Sequence, residues 1–247
     1  FQLRHGLESD GAIGIKTQGA LSIPVEMRIA QMQASLERMK AMPELAKRYV
    51  LVNIPGYYLK AVNDNNTIIN SRIIVGRPQN ATPLFNRPIT DVSFNPAWHV
   101  PPKIARNEFI GKIRENPDYL ENGNYIVKDK NGDVVDAEEI DWENESGNNY
   151  KFVQLAGEKN ALGKVKFNLP DTDNIYLHST GSPRLFAKAD RALSHGCIRV
   201  EMARELAYFV MQGMAGWDEE KISELYDSSR SKTMKVNPVE VYVTYWT

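Results

Sequence analysis

The fold class predicted from this chain is mainly β (α+β): a sandwich or barrel carrying a few helices and one inserted subdomain. From Arg48 onward, β-branched and aromatic residues come in short runs at 49–54, 57–62, 67–69 and 72–75. Turn formers separate them at Pro55-Gly56, residues 63–66 and Gly76. Near the end, Val239, Val241, Val243 and Tyr245 alternate with polar residues over 239–246, the period of a half-buried strand.

Residues 1–22 hold short apolar patches punctuated by Asp10-Gly11 and Gly14, a turn-and-helix fragment too small to bury much by itself. Residues 23–47 read as a linker helix. Met27, Ile29, Ala30, Met32, Leu36 and Met39 form an amphipathic stripe, started by Ser22 or Pro24 and stopped at Pro43. Its methionines are expected in core or interdomain packing. The β-rich domain occupies 48–247, with further strands at 88–94, 151–155, 164–168, 174–178 and 239–246. Residues 101–149 interrupt it with a helical pattern from Lys103 to Arg114 and then a stretch rich in Asn, Asp, Glu and Gly. Such an insertion is either surface decoration or a lid. Trp98, Tyr119 and Trp142 are expected to act first as packing anchors. Helical spacing returns over 202–211, and again near 218–226.

At 247 residues and 42% hydrophobic, the chain can bury one substantial core of about 200 residues plus a small accessory piece. Thirty basic and 31 acidic side chains are interspersed, which excludes the electrostatic footprint of a nucleic-acid binder. No apolar run approaches the roughly 18 residues of a spanning helix. The opening FQLRH is no signal core, so any export signal or membrane anchor is expected only upstream of this chain. The triplets at Asn65, Asn80 and Asn144 are chance glycosylation matches, and Gly163-Lys164 lacks the rest of a phosphate loop.

Cys197 is the only cysteine and sits in Ser194-His195-Gly196-Cys197-Ile198-Arg199-Val200. A lone cysteine forms no intrachain disulfide, so it calls for either a packing or a chemical explanation. Its neighbours favour chemistry, because Ser194, His195 and Gly196 stand where a core cysteine would want apolar company. Thiol plus imidazole is the minimal kit for nucleophilic acyl transfer. His178 ends the strand-like run Asn174-Ile175-Tyr176-Leu177 and suits a base; His195 is nearer in sequence, its ring aimed by the turn at Gly196. Glycine before the nucleophile allows torsions that turn the N–H groups of Gly196 and Cys197 toward an oxyanion. Arg199 suits a carboxylate or holds the loop. The helix at 202–211 is expected to point a weak positive field toward the site. His5 and His99 are expected to be surface or structural residues. One thiolate and two imidazoles without paired short spacing do not make a zinc site, so no metal is expected.

The stretch IYLHSTGSPRLFAKADRALSHGCIRV, residues 175–200, resembles the signature of the L,D-transpeptidases (YkuD-type catalytic domain), cysteine enzymes that cross-link bacterial peptidoglycan. Trp98-His99-Val100-Pro101-Pro102, Asn116 to Leu120, Ile140-Asp141-Trp142 and Asn160 to Gly163 are similar to the larger, Gram-negative type of that family. The resemblance covers about 48–247, and 1–22 resembles part of a peptidoglycan-binding module. It implies an L,D-transpeptidase-type β-sandwich or barrel in which 101–149 is a capping subdomain. Cys197 would be the nucleophile and His178 the general base. His195 would orient the loop or assist at the oxyanion, and Gly196 would form part of the site. Ser194, Arg199, Ser179 and Tyr176 would line it, with Arg184 as a weaker match. The larger type has an aspartate after the base where this chain has Ser179, so either that hydroxyl or a backbone carbonyl would orient the ring.

The implied reaction is acyl transfer through a cysteinyl thioester. A stem tetrapeptide is the donor and a neighbouring stem amine the acceptor, giving 3-3 cross-links. Water, a free D-amino acid or a lipoprotein lysine are other acceptors in the family. Carbapenems are expected to acylate the thiol. No cofactor is implied, and the setting would be the periplasm, in cell-wall and cell-shape maintenance. An L,D-carboxypeptidase and a non-catalytic wall-binding protein are the competing readings.

Overall fold

The computed structural model describes residues 1–247. Helix α1 (Ile15–Leu21) and helix α2 (Val25–Lys40) precede the first strands, β1 (Arg48–Asn53), β2 (Tyr58–Asn63), β3 (Asn66–Gly76) and β4 (Phe85–Phe94). A second group follows: β5 (Trp98–His99), α3 (Pro102–Ile104), a π-helical turn (Ala105–Phe109), α4 (Ile110–Glu115), α5 (Tyr119–Asn122), β6 (Tyr125–Lys128), β7 (Val134–Val135) and β8 (Lys151–Gln154). The chain then returns with β9 (Val165–Asn168), β10 (Leu177–His178), β11 (Ala192–Ser194), β12 (Ile198–Val200), α6 (Ala203–Met211), α7 (Glu219–Asp227) and β13 (Lys232–Thr244).

The main sheet has nine strands in the order β11-β3-β12-β10-β9-β4-β13-β1-β2. An added β2–β3 pairing closes eight of them into a barrel. β3 is long enough to serve two partners along one edge. Ile73 N–H donates to the Tyr57 carbonyl at the end of β2, and Val75 N–H to the Arg191 carbonyl ahead of β11. Closure removes open edges. Inside, Val50, Val52, Leu59, Ile73, Ile89, Val92, Phe94, Phe167, Leu177, Ile198 and Val241 are buried, and α6 adds Leu206, Ala207 and Val210 to the same core.

The inserted residues build a separate sheet, β5-β8-β6-β7, over their own apolar cluster of eight buried residues centred on Phe109 and Phe152. This unit reaches beyond the expected 101–149 bounds on both sides, because Trp98–His99 and Lys151–Gln154 supply two of its strands. The strand expected at 151–155 therefore belongs to the insertion and not to the barrel. Phe109 is its hub, with ring centroids 5.5 Å from Tyr119, 5.1 Å from Tyr125 and 5.4 Å from Phe152.

One expectation about the N-terminal part needs correction. The stripe on α2 is not covered: Met27 is 58% and Met32 67% exposed, and the helix buries only Ser35. Its anchor is polar, as the Ser35 hydroxyl lies 3.1 Å from the Thr247 carbonyl oxygen at the chain's end. Residues 1–22 form one 3₁₀ turn and α1, and among them only Thr17 is buried. The expected strand at 174–178 shrinks to Leu177–His178, because Asp173 and Asn174 take left-handed torsions in the preceding turn.

Candidate active site

A cavity of about 810 Å³ lies between the barrel and the insertion. Its floor is the parallel pair β10–β12, where Leu177 opposes Ile198 and His178 opposes Arg199. Side chains alternate along a strand, so Leu177 and Ile198 point into the barrel core while Tyr176, His178, Cys197 and Arg199 share the other face. On the far side of β10, Lys166 of β9 opposes His178, which completes a transverse row Lys166, His178, Arg199. All five of these polar residues line the cavity, as do Ser194 and His195.

The loop that carries Cys197 is held by short hydrogen bonds, within itself and to Thr82. The Ser194 hydroxyl donates to the Cys197 carbonyl at 2.6 Å and accepts from the Gly196 N–H at 3.1 Å. Thr82 Oγ1 donates to the Gly196 carbonyl at 2.7 Å, and itself accepts from the Gly76 N–H at 2.9 Å. Gly196 has φ +121°, and a Cβ there would stand 2.9 Å from Ile175 Cδ1. Both facts demand glycine. The expected oxyanion pair is altered: the Gly196 N–H is committed to Ser194, whereas the Cys197 N–H takes part in no turn or loop hydrogen bond.

Cys197 is half-buried, with its thiol 3.5 Å from the Asn174 carbonyl. Burial pushes the thiol pKa up, while the Tyr176 N–H and phenol and the charges of Lys166 and Arg199 oppose the rise. Tyr176 thus stands beside the sulfur, and the Lys166 ammonium lies 4.1 Å from the centre of its ring. His178 is 4% exposed, packed edge-on to Tyr176 at 5.6 Å, and its Nδ1 has no partner. Burial, then the charge of Arg199, lowers its pKa to about 3, against a weaker opposite pull from the main chain of Ser179 and Leu162. The imidazole is therefore neutral at pH 7, the form that accepts a proton.

The Ser179 hydroxyl does not orient that ring, which leaves the backbone alternative, the main chain of Ser179 and Leu162. The hydroxyl donates to the Leu162 carbonyl and accepts from the Val165 N–H, both at 3.0 Å, on the opposite face of the strand from His178 and away from the cavity. Gly163 permits this contact, since a Cβ there would lie 2.3 Å from the Ser179 oxygen. Arg184 is exposed in the 3₁₀ turn Pro183–Ala187, also away from the cavity. The expected field from the helix after the loop is too remote, because α6 begins beyond the whole of β12, about 10 Å of strand. His99 is exposed at the cavity rim, and His5 stacks on Phe1 far from it in sequence.

Three participants had no sequence signal. Glu108, on the π-helical turn, accepts from His195 Nε2 at 2.5 Å and faces Arg77 at 3.4 Å, and Arg77 also contacts the His195 ring. π turns favour functional positions, yet nothing in the local residues announces one. Trp98 and Tyr119 pack on Phe109 and also line the cavity, while Trp142 packs within the insertion against Tyr150 and Phe152. Lys166 stands out only through the register of β9 on β10.

Comparison with known proteins places this chain in a family. Among solved structures, an L,D-transpeptidase from Mycobacterium smegmatis is 13% identical, covering 81% of this chain and 59% of its own at a TM-score of 0.33. The Enterococcus faecium catalytic domain acylated by ertapenem is 13% identical over 82% of this chain and 100% of its own, at 0.36. L,D-transpeptidase 3 from Mycobacterium tuberculosis, with a faropenem-derived adduct, is 11% identical over 80% and 60%, at 0.38. A Haemophilus influenzae protein named as an L,D-transpeptidase is 36% identical over 227 residues, 90% of this chain, which spans about half (46%) of that relative's length. Residues 47–240 match the YkuD family, the L,D-transpeptidase catalytic domain, and on that match over most of its length the chain belongs to this family.

Proposed function

We propose that this chain is a peptidoglycan L,D-transpeptidase that forms 3-3 cross-links through a thioester on Cys197. The observation that carries the reading is the shared face of β10 and β12, which brings Tyr176, His178, Cys197 and Arg199 to one cavity floor beneath the inserted unit.

In the first step the thiol proton passes to His178 as the sulfur bonds to the carbonyl carbon of the donor's third residue. The carbonyl oxygen becomes an oxyanion facing the Cys197 N–H. Collapse breaks the C–N bond to the terminal D-alanine, whose amine leaves with the proton from His178. In the second step an acceptor amine attacks the thioester, the C–S bond breaks, and the proton lost by the amine returns through His178 to sulfur. His195, held by Glu108 and Arg77, positions the loop and does not receive the proton. The substrate lies in the cell envelope, so the site of action is the periplasm, and carbapenems would acylate the same thiol.

Mass spectrometry of the purified chain with a carbapenem tests the chemistry. One adduct per chain on Cys197 is expected, absent in Cys197→Ala and slowed at least about 100-fold in His178→Ala. No adduct on the unsubstituted chain would sink the covalent mechanism and leave a passive wall binder. Muropeptide products then separate the acceptors: 3-3 dimers support transpeptidation, whereas tripeptides alone would make the enzyme an L,D-carboxypeptidase.

A further inference from the structure

The cavity floor holds more positive charge than the acyl-transfer scheme uses. Its lining includes four cations, Lys103, Lys112, Lys166 and Arg199, against two carboxylates, Glu108 and Asp173. Glu108 is already occupied by His195, Arg77 and Lys112. Lys166 and Arg199 have no carboxylate within ion-pairing distance, and the Arg199 Nε is buried without a partner. Burial disfavours the charged form of both side chains. Unpaired charges withdrawn from water are costly, and the usual compensation is a bound counter-ion.

Register fixes where that counter-ion would sit. Lys166, His178 and Arg199 occupy one transverse row on adjacent strands of a single face, so the two cations fork around the base. Strand spacing places their backbones about 10 Å apart, a gap that long side chains close over one oxyanion group. In a donor ending in D-alanine, the terminal carboxylate carbon lies roughly 3–4 Å from the scissile carbonyl carbon. Lys166 and Arg199 share one cavity with Cys197 and their charges act on its sulfur, so a carboxylate one residue beyond the carbonyl at Cys197 meets the two long side chains.

We propose that Lys166 and Arg199 form a carboxylate-binding fork across His178 that seats the donor's C-terminal carboxylate, with Lys166 setting the preference for a free acid over an amide. This rests on the donor peptide assigned above. The bound anion also offsets the two charges that face the imidazole, so donor binding makes His178 a better base.

The test compares three tetrapeptide donors: the free acid, the C-terminal amide, and a peptide amidated only on the side-chain carboxyl of its third residue. Release of the fourth residue is followed by mass spectrometry below saturation. The unsubstituted chain is expected to prefer the free acid over the C-terminal amide by about 10- to 100-fold, the scale of one charge-assisted contact. The side-chain amide should react like the free acid. Lys166→Met should bring the free acid down to the rate of the amide, and Lys166→Arg should restore most of the preference. Using the ratio of acid to amide cancels any change in thiol reactivity, which affects both alike. Equal slowing of acid and amide by Lys166→Met, or discrimination carried by the side-chain amide, would overturn the fork.

A second measurement needs no turnover. N-acetyl-D-alanine should slow iodoacetamide alkylation of Cys197 in the unsubstituted chain and not in Lys166→Met, with N-acetyl-D-alaninamide as the neutral control. Absence of protection overturns the anion site; protection without cleavage of any tetrapeptide overturns the transpeptidase reading alone.

Discussion

Cys197 feels opposing influences from its nearest neighbours. Burial raises its pKa above the ordinary thiol value of 9.0, while Tyr176, Lys166 and Arg199 pull it back. With His178 lowered to about 3, the resting pair is a neutral thiol and a neutral imidazole, not an ion pair. Iodoacetamide alkylation followed against pH should therefore keep rising beyond pH 9, with no inflection between pH 5 and 8; a plateau reached by pH 7 would contradict this balance. His178 also links folding to pH. Its folded pKa lies below the unfolded value of 6.5, so between about pH 6.5 and 3 the unfolded chain binds the proton and the folded chain does not. Stability should fall as pH falls through that window, and urea titrations of His178→Gln should show a shallower fall. Gly196→Ala puts a Cβ 2.9 Å from Ile175 Cδ1 at a torsion alanine disfavours. We expect it to cost about 1–3 kcal/mol by denaturant melting and to abolish carbapenem acylation. At this scale Cys197, His178 and Gly196 were legible because thiol, imidazole and glycine are few and their roles are chemically narrow. Lys166, Glu108 and Arg77 were not, because each is one charged side chain among 61.

Between elements, the contact that joins the insertion to the nucleophile loop is Glu108 to His195, 2.5 Å long and half-exposed. Burial alone would raise the Glu108 pKa, but His195, Lys112 and Arg77 hold it below the usual carboxylate range. Glu108→Gln removes the charge and keeps a polar side chain. It is expected to raise KM for a donor peptide several-fold with a smaller effect on carbapenem acylation at saturation, since the insertion is loosened from the loop and the thiol left in place. An unchanged KM would show that the contact does not hold the insertion over the cavity. Phe109→Ala removes the hub of the insertion's own cluster and should cost about 3–5 kcal/mol locally. Hydrogen exchange should then speed up over 102–128 while β1 and β13 stay protected. The helix at 102–115 and the polar stretch after it were visible as a break in strand periodicity. Strand β5 was not foreseen and β8 was attributed to the barrel, because a two-residue strand and a short apolar run carry no mark of the partner they will pair with.

For the whole molecule, two apolar clusters divide the work: a barrel core that includes α6, and a smaller cluster within the insertion. Residues 1–22 bury only Thr17, so a chain beginning at residue 23 should melt within about 2 °C of the full one by calorimetry. The apolar stripe of α2 shows why amphipathicity alone misleads: periodicity states that a face is apolar, not that anything covers it, and here the helix is tied down by polar contacts, Ser35 at Thr247 and Arg38 at Tyr245. The sequence by itself determined the β-rich class, the insertion and the candidate thiol with its imidazole, because alternation, turn residues and rare polar side chains are local properties. Only the tertiary structure decided that the sheet closes through β2 and β3, that Ser179 faces away from the cavity, and that Lys166, His178 and Arg199 stand in one row. The physical reason is strand order: residues from β9, β10 and β12 become neighbours through hydrogen-bond register across the sheet, and register is a property of the assembled barrel, not of any segment within it.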